Sequence, residues 1–298
     1  MRNRTQIELL PDGRRLYLHD GPIDLIVEAF GRVTNIQAAY GTATQRFVTV
    51  LDELCGELSI LRQPFREDGP EPAGAVAKRM TSAVAPYAPQ MFITPMAAVA
   101  GAVAEEILEA LTSAADLERA YVNDGGDIAV HLGCGQQFTV GMVERPDRPS
   151  LFGSVILNPD QPVRGIATSG WRGRSFSLGI ADAVTVLADR AAMADAAATV
   201  IANAVDLPGH PGITRVRACD LSPDSDLGGR LVTQGVADLT ENEVATALSA
   251  GQSMAHSLLS TGLIRAAALH LRGVTRIVGQ PIQGMLKIAS GHGSLVNA

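Results

Sequence analysis

Residues 184–205 read VTVLADRAAMADAAATVIANAV. The opening is an apolar run of strand length, and the remainder is rich in alanine and other helix formers. The spacing predicts a strand over 183–188 and a helix over 189–205, with Asp189 at the junction as its N-cap. Three polar side chains interrupt the helix, Asp195, Thr199 and Asn203, each four residues after the last. Residues four apart share a face, so they form one polar file on a helix otherwise suited to burial. A carboxylate there must meet water, a basic group or a metal, because burying it unpaired is costly. Asp195 and Thr199 together make a half-site for a hard cation such as Mg²⁺, which takes oxygen ligands. The other reading is the solvent face of an amphipathic helix.

Working outward, QIELL and RLYLH flank the turn PDG, and PIDLIVEAFG follows as a third strand. From Tyr40 to Leu61 the apolar residues recur at three and four, which predicts a helix. Residues 62–74 are rich in proline, glycine and charge and read as an exposed loop. Helices are expected over 75–84 and over 96–114, after Pro95; the small residues opening the second call for a close neighbour. Short strands are expected at 118–123, 127–131, 137–143, 153–157, 163–168 and 214–220. Thr240 and Glu243 form a capping-box signature for a helix stopped by Gly262, and AAALHLRGVTRIVG reads as two strands. Strands mixed with helices, without regular β-α-β alternation, indicate an α+β fold with a substantial antiparallel sheet. No internal repeat is visible. The 298 residues suit one domain spanning 1–298 or two intimately packed lobes.

Composition narrows the function. A net charge of −7 and 4% aromatic residues argue against nucleic acid as a partner. No apolar run reaches the ~20 residues of a membrane span. Cys55, Cys134 and Cys219 are far apart and lack metal or disulfide spacing. With no signal-peptide pattern at the N-terminus, a cytoplasmic location is expected. The composition leaves room for a homo-oligomer. None of the six histidines has metal-binding spacing, and no GxSxG elbow or phosphate-binding glycine loop is present.

Two further segments carry chemistry. In YVNDGGDIAVHL (121–132), Asn123, Asp124 and Asp127 bracket Gly125 and Gly126. This is a common hairpin turn, and equally a place where backbone N–H groups approach an anionic ligand. In RGIATSGWRGRSFSLGIADAVTV (164–186), Thr168, Ser169 and Gly170 end a strand, and Trp171, Arg172, Arg174 and Ser175 follow. Hydroxyls and guanidiniums at a strand end suit a phosphate or carboxylate; two solvated arginines on a loop are the alternative.

Three segments in order, NDGGDI (123–128), IATSG (166–170) and VTVLADRAAMADAAAT (184–199), resemble the ApbE superfamily of FAD:protein FMN transferases. The resemblance is firm over about 95–205. It implies an α+β, T-fold-related architecture of antiparallel sheets and packed helices, and FAD or FMN as the flavin bound. It also implies Mg²⁺ on Asp195 and Thr199, with a third ligand from a backbone carbonyl around Ala97–Ala100. Two departures stand out. The helix segment VAGAVAEE lacks the family's lysine and has Glu105 in place of its acid. Between ATSG and TV, WRGRSFSLGIADAV replaces HIIDP-x-TG, so the catalytic histidine of flavin transfer is missing. GPIDLIVEA (21–29) and TPMAAVAG (94–101) are similar to a shorter branch of the superfamily.

Two functional readings follow. In the first the chain is a Mg²⁺-dependent enzyme acting on a phosphorylated or anionic small molecule, with Asp124, Asp127 or Asp182 as base. In the second it is a non-catalytic flavin- or nucleotide-binding protein, or a partner subunit, on the same scaffold.

Overall fold

In the computed structural model, which describes residues 4–143 and 151–279, the N-terminal strands β1 (Gln6–Leu9), β2 (Leu16–Asp20) and β3 (Ile23–Phe30) form an antiparallel meander. Gly13 takes a φ of +69° in the first turn, and Asp12 Oδ1 accepts the N–H groups of Arg14 and Arg15. Helix α1 spans Val33–Gly56, earlier than the period from Tyr40 suggested, and the short α2 (Leu58–Leu61) is separate. The missed turns bury Ala39, and alanine leaves a weak apolar signal. Residues 62–74 contain no helix or strand and are mostly exposed. Helix α3 covers Ala75–Val84; Pro95–Ala98 makes a 3₁₀ turn, and α4 (Val99–Ala114) continues from it.

The strands β4 (Arg119–Asp124), β5 (Asp127–Leu132), β6 (Phe138–Val143), β7 (Leu151–Leu157), β8 (Gly165–Ser169) and β9 (Ala183–Ala188) lie close to where alternation placed them. Helix α5 is Ala191–Ala204, so its N-cap is Arg190 and not Asp189. The Asp189 carboxylate instead receives the guanidinium of Arg265, Nε at 2.6 Å and Nη2 at 2.5 Å. Strand β10 ends at Arg217, and ACDL turns into the short α6 (Ala218–Leu221). Strand β11 (Leu231–Val236) was not foreseen; α7 (Glu241–Ser260), β12 (Ala266–Leu271) and β13 (Val274–Val278) were. The capping box of Thr240 and Glu243 is formed, and Gly262 sits at φ +76° just past the helix.

Nine of these strands make one antiparallel sheet in the order β1-β2-β3-β4-β5-β8-β9-β12-β13. Helices α1, α4, α5 and α7 pack side by side over Leu25, Val27, Val122, Ala167, Val186 and Leu269. The hairpin β6–β7 supplies Val155 and Leu157 to a second core with Val130, Leu132, Ile166 and Leu187. This is the α+β arrangement of antiparallel sheet and packed helices that the resemblance implies. It also holds a repeat the sequence conceals. β2-β3, two long helices (α1, α4) and β4-β5 are followed by β8-β9, two long helices (α5, α7) and β12-β13.

Candidate functional site

The site begins where α4 meets α5. Neither helix has a side-chain cap of its own, so the first N–H groups of each need partners from elsewhere. Asp195, from the first turns of α5, accepts the N–H of Gly101 in α4 (3.0 Å to Oδ2), and that of Ala100. Glu105, buried on α4, accepts the N–H of Ala192 in α5 at 2.9 Å. Each helix is thus capped by a carboxylate of the other. The contact is so close that a Cβ on Gly101 would lie 2.3 Å from the carbonyl oxygen of Ala191. This is the neighbour that the small residues of 96–104 call for. Within Ala97–Ala100, where the resemblance implies a carbonyl ligand, it is the N–H of Ala100 that meets Asp195.

The polar file on α5 is half-buried at Asp195, Thr199 and Asn203, while most of the helix is buried. It faces a seam in the protein and is not a solvent face. At its far end Asn203 Oδ1 accepts the N–H of Leu178 (2.8 Å) and the hydroxyl of Ser177 (3.2 Å), pinning the loop that precedes β9. The Thr199 hydroxyl, between them, makes no hydrogen bond among the described residues.

The NDGG segment is a hairpin turn, with Gly125 at φ +62°, Gly126 at +114°, and Asn123 Oδ1 accepting the Gly126 N–H at 2.8 Å. The same turn sets Asp124 opposite Asp127 across the hairpin, and the charges of both interact with that of Asp195. Asp127 Oδ1 accepts the N–H of Thr168 (3.2 Å), and the Thr168 hydroxyl bonds that of Thr185 (2.9 Å). Desolvation pushes the Asp124 carboxyl up to about 7, against the lowering effect of the Asp24 backbone and Arg174. Asp195 is also pushed up to about 7, first by desolvation and then by the charge of Asp124, while the Gly101 N–H opposes the shift. Asp127 is raised for the same reasons, desolvation first and Asp195 next. None of the three has an ion-pair partner among the described residues. The described residues hold no group of three or more His, Cys, Asp or Glu in metal-holding geometry. Any cation here would therefore use fewer carboxylates, completed by hydroxyl or backbone oxygen.

The segment after β8 is laid out differently. Gly170 is packed against backbone, its absent Cβ 2.5 Å from the Asp182 carbonyl oxygen. Ser169 is half-buried at the strand end; Arg174 and Ser175 are exposed. Arg174 reaches the Pro22 carbonyl (3.3 Å) and lies over Gly125. The Arg172 guanidinium stacks on Trp171 at 4.2 Å and donates its Nε–H to Asp182 Oδ1 at 2.7 Å. The other oxygen of Asp182 accepts the Arg272 N–H at 2.7 Å. Both oxygens of this buried carboxylate are therefore engaged, which the residue's position in SFSLGIAD did not reveal. Arg272 was also missed; it lies in a tight β12–β13 turn at φ +50°, and only the pairing of those strands brings it to Asp182.

A separate hollow of about 310 Å³ is lined by Arg79, Glu105, His131, Arg164 and Arg190. Its guanidiniums are bound internally: Arg79 and Arg190 to Glu105, and Arg164 to the carbonyls of Pro159, Gln161 and Val163. No residue of the carboxylate trio lines it.

A UPF0280 protein of Methanopyrus kandleri is 41% identical over 133 residues, which are 45% of this chain and 50% of that protein. A UPF0280 protein of Methanosarcina acetivorans is 35% identical over 158 residues, 51% and 59% of the two. The aligned stretch thus spans about half the length of these curated relatives. The flavin transferase ApbE from Vibrio cholerae superposes on 94% of this chain and 100% of its own, with a TM-score of 0.49 and 11% identity. At that score the superposition carries no weight on activity. The profile of the family described as AbpE bacteria matches residues 7–277, nearly the whole described chain and every segment of the site. The chain belongs to that family.

Proposed function

We propose that this chain binds a divalent cation of the Mg²⁺ type together with an anionic or phosphorylated small molecule, and that it is an enzyme. The carrying observation is the trio Asp124, Asp127 and Asp195, brought together without an ion-pair partner among the described residues. Such a concentration of negative charge is unfavourable unless protons or a cation offset it. The donors are all hard oxygens, which fits Mg²⁺ and not a thiophilic metal. Asp195 and Thr199 would hold the ion, with Asp127 beside them. When bound, the cation would supply charge neutralisation at an oxygen of the ligand.

The chain's own residues have distinct roles in this reading. Thr168, Ser169 and the N–H groups of the Asn123–Asp127 turn, with Arg172 and Arg174, hold the anionic group. Asp124, buried and titrating near neutrality, is the base, since it can both accept and release a proton at about pH 7. Asp182 serves to position Arg172, because both of its oxygens are engaged. FAD or FMN is the ligand class that the resemblance to the ApbE superfamily implies, and membership of the AbpE family supports it. The replacement of HIIDP-x-TG by WRGRSFSLGIADAV supports a reaction other than flavin transfer by a histidine. That same absence favours the second reading, a flavin- or nucleotide-binding protein without catalysis.

Calorimetric titration of the metal-free chain with Mg²⁺, and then with FAD, FMN and ADP with and without Mg²⁺, tests the proposal. Saturable Mg²⁺ binding, lost in Asp195→Asn, and Mg²⁺-dependent binding of at least one of the three nucleotides are expected. Mg²⁺ binding that survives Asp195→Asn would overturn the assignment of the ion.

A further inference from the structure

Trp171 is the only tryptophan of the chain. Its backbone N–H is fixed on the Ala181 carbonyl at 3.0 Å, but its indole Nε1 is buried with no hydrogen-bond partner. A buried donor left without an acceptor costs about 1–3 kcal/mol, so an isolated case calls for a reason. Arg172 stands against the same ring. Its side chain is 19% exposed, its Nε is tied to Asp182, and its Nη atoms have no partner among the described residues. Asp182 is held in turn by the Arg272 N–H, and Gly170 has no room to shift against the Asp182 carbonyl. The guanidinium is therefore fixed with one edge engaged and the other edge free.

Two more orphaned buried groups border this loop. Arg272 Nε is one. Thr233 Oγ1 is the other, on a strand residue whose backbone N–H bonds the Ser177 carbonyl. Of the five such atoms among the described residues, these two and Trp171 Nε1 gather around one loop, and all three can donate. A polar seam short of acceptors is what an oxyanion would complete.

Resting on the reading that the ligand is anionic, we propose that the loop from Trp171 to Asp182 is an oxyanion clamp. In it the indole N–H of Trp171 and the free Nη edge of Arg172 take one phosphate or carboxylate group of the ligand. In the sequence the clamp stands where the family that the chain resembles has HIIDP-x-TG.

The single tryptophan reports on its own site. The full chain is titrated in EDTA with inorganic phosphate and separately with citrate, against sodium chloride at matched ionic strength, while Trp171 emission is followed. Because no divalent cation is present, failure of the metal assignment leaves this test intact, and failure of the clamp leaves the metal test intact. A saturable emission change with phosphate alone identifies a phosphorylated ligand, and with citrate alone a carboxylate; both support the clamp. No saturable change with either anion, or an equal change with chloride, overturns it. By calorimetry, Trp171→Phe keeps the stacked ring, loses the N–H, and should bind the same anion about tenfold more weakly. Arg172→Lys should lose a similar factor, because a lysine cannot present the fork. Wild-type affinity in both variants would overturn the clamp.

Discussion

At Glu105 a carboxylate 9% exposed is surrounded by a helix start and two guanidiniums. Oε1 takes the Ala192 N–H, and Oε2 takes Arg190 at 2.6 Å and Arg79 at 3.4 Å. The resemblance gives this residue the place of an acid, and its neighbours in the chain give no hint of a capping role. The role is visible only once α5 is docked. Glu105→Gln keeps the shape and removes the charge, leaving Arg190 without its counterion and weakening the cap. A loss of about 2 kcal/mol in unfolding free energy is expected, since it combines a cap with a partly buried ion pair. Urea unfolding of the variant beside the parent chain measures it; a loss below about 0.5 kcal/mol would show that the exposed side of Arg190 dominates.

At the scale of elements, the α4–α5 seam depends on small residues. Gly101 in α4 meets the Ala191 carbonyl, and the glycine at 165 in β8 meets the Arg190 backbone as closely, so strand and helix approach main chain to main chain. Gly101→Ala is expected to lower the melting temperature sharply or to abolish folding, because the obstacle is backbone and cannot rotate away. Gly41→Ala is the matched control. It lies in α1 with nothing within 4 Å of an added Cβ, and should gain about 0.5–1 kcal/mol of stability in the same thermal melts. Much of this layer was legible beforehand. The strand of 183–188, the helix after it, the capping box at Thr240 and the crowding implied by MAAVAGAVA all follow from local chemistry. What local chemistry could not show was the cap. The sequence offers Asp189 next to α5, but Arg265 from another strand end claims that carboxylate, and the caps come from the partner helix. Asn203 was legible as the third member of a polar file, and its bond to Leu178 was not, because that contact depends on the path of a loop.

Across the whole molecule, the site lies at the joint between two similar halves. Asp124 and Asp127 come from the turn closing the first β-β-α-α-β-β unit, while Thr168, Asp195 and Thr199 come from the second. The halves share an order of elements without a shared motif, so no repeat is visible in the sequence, and the candidate site draws on both. The charges of three carboxylates interact there. The cost of that convergence makes a definite prediction about pH. A carboxyl whose folded pKa lies above its unfolded value near 3.8 holds its proton longer in the native state, so stability falls as pH rises from about 4 through about 7. Glu243, lowered to about 2, does not interfere, because its contribution is already full above its ordinary value of 4.5.

The most direct test is thermal unfolding of the full chain at about pH 5.5 and about pH 8, each in EDTA and in excess Mg²⁺. The metal-free chain should melt lower at the higher pH. Mg²⁺ should raise the melting temperature strongly there and only slightly at the lower pH, where protons already occupy the carboxylates. Melting temperatures that do not respond to Mg²⁺ at either pH would contradict a cation at Asp195, and with it the central claim about this site.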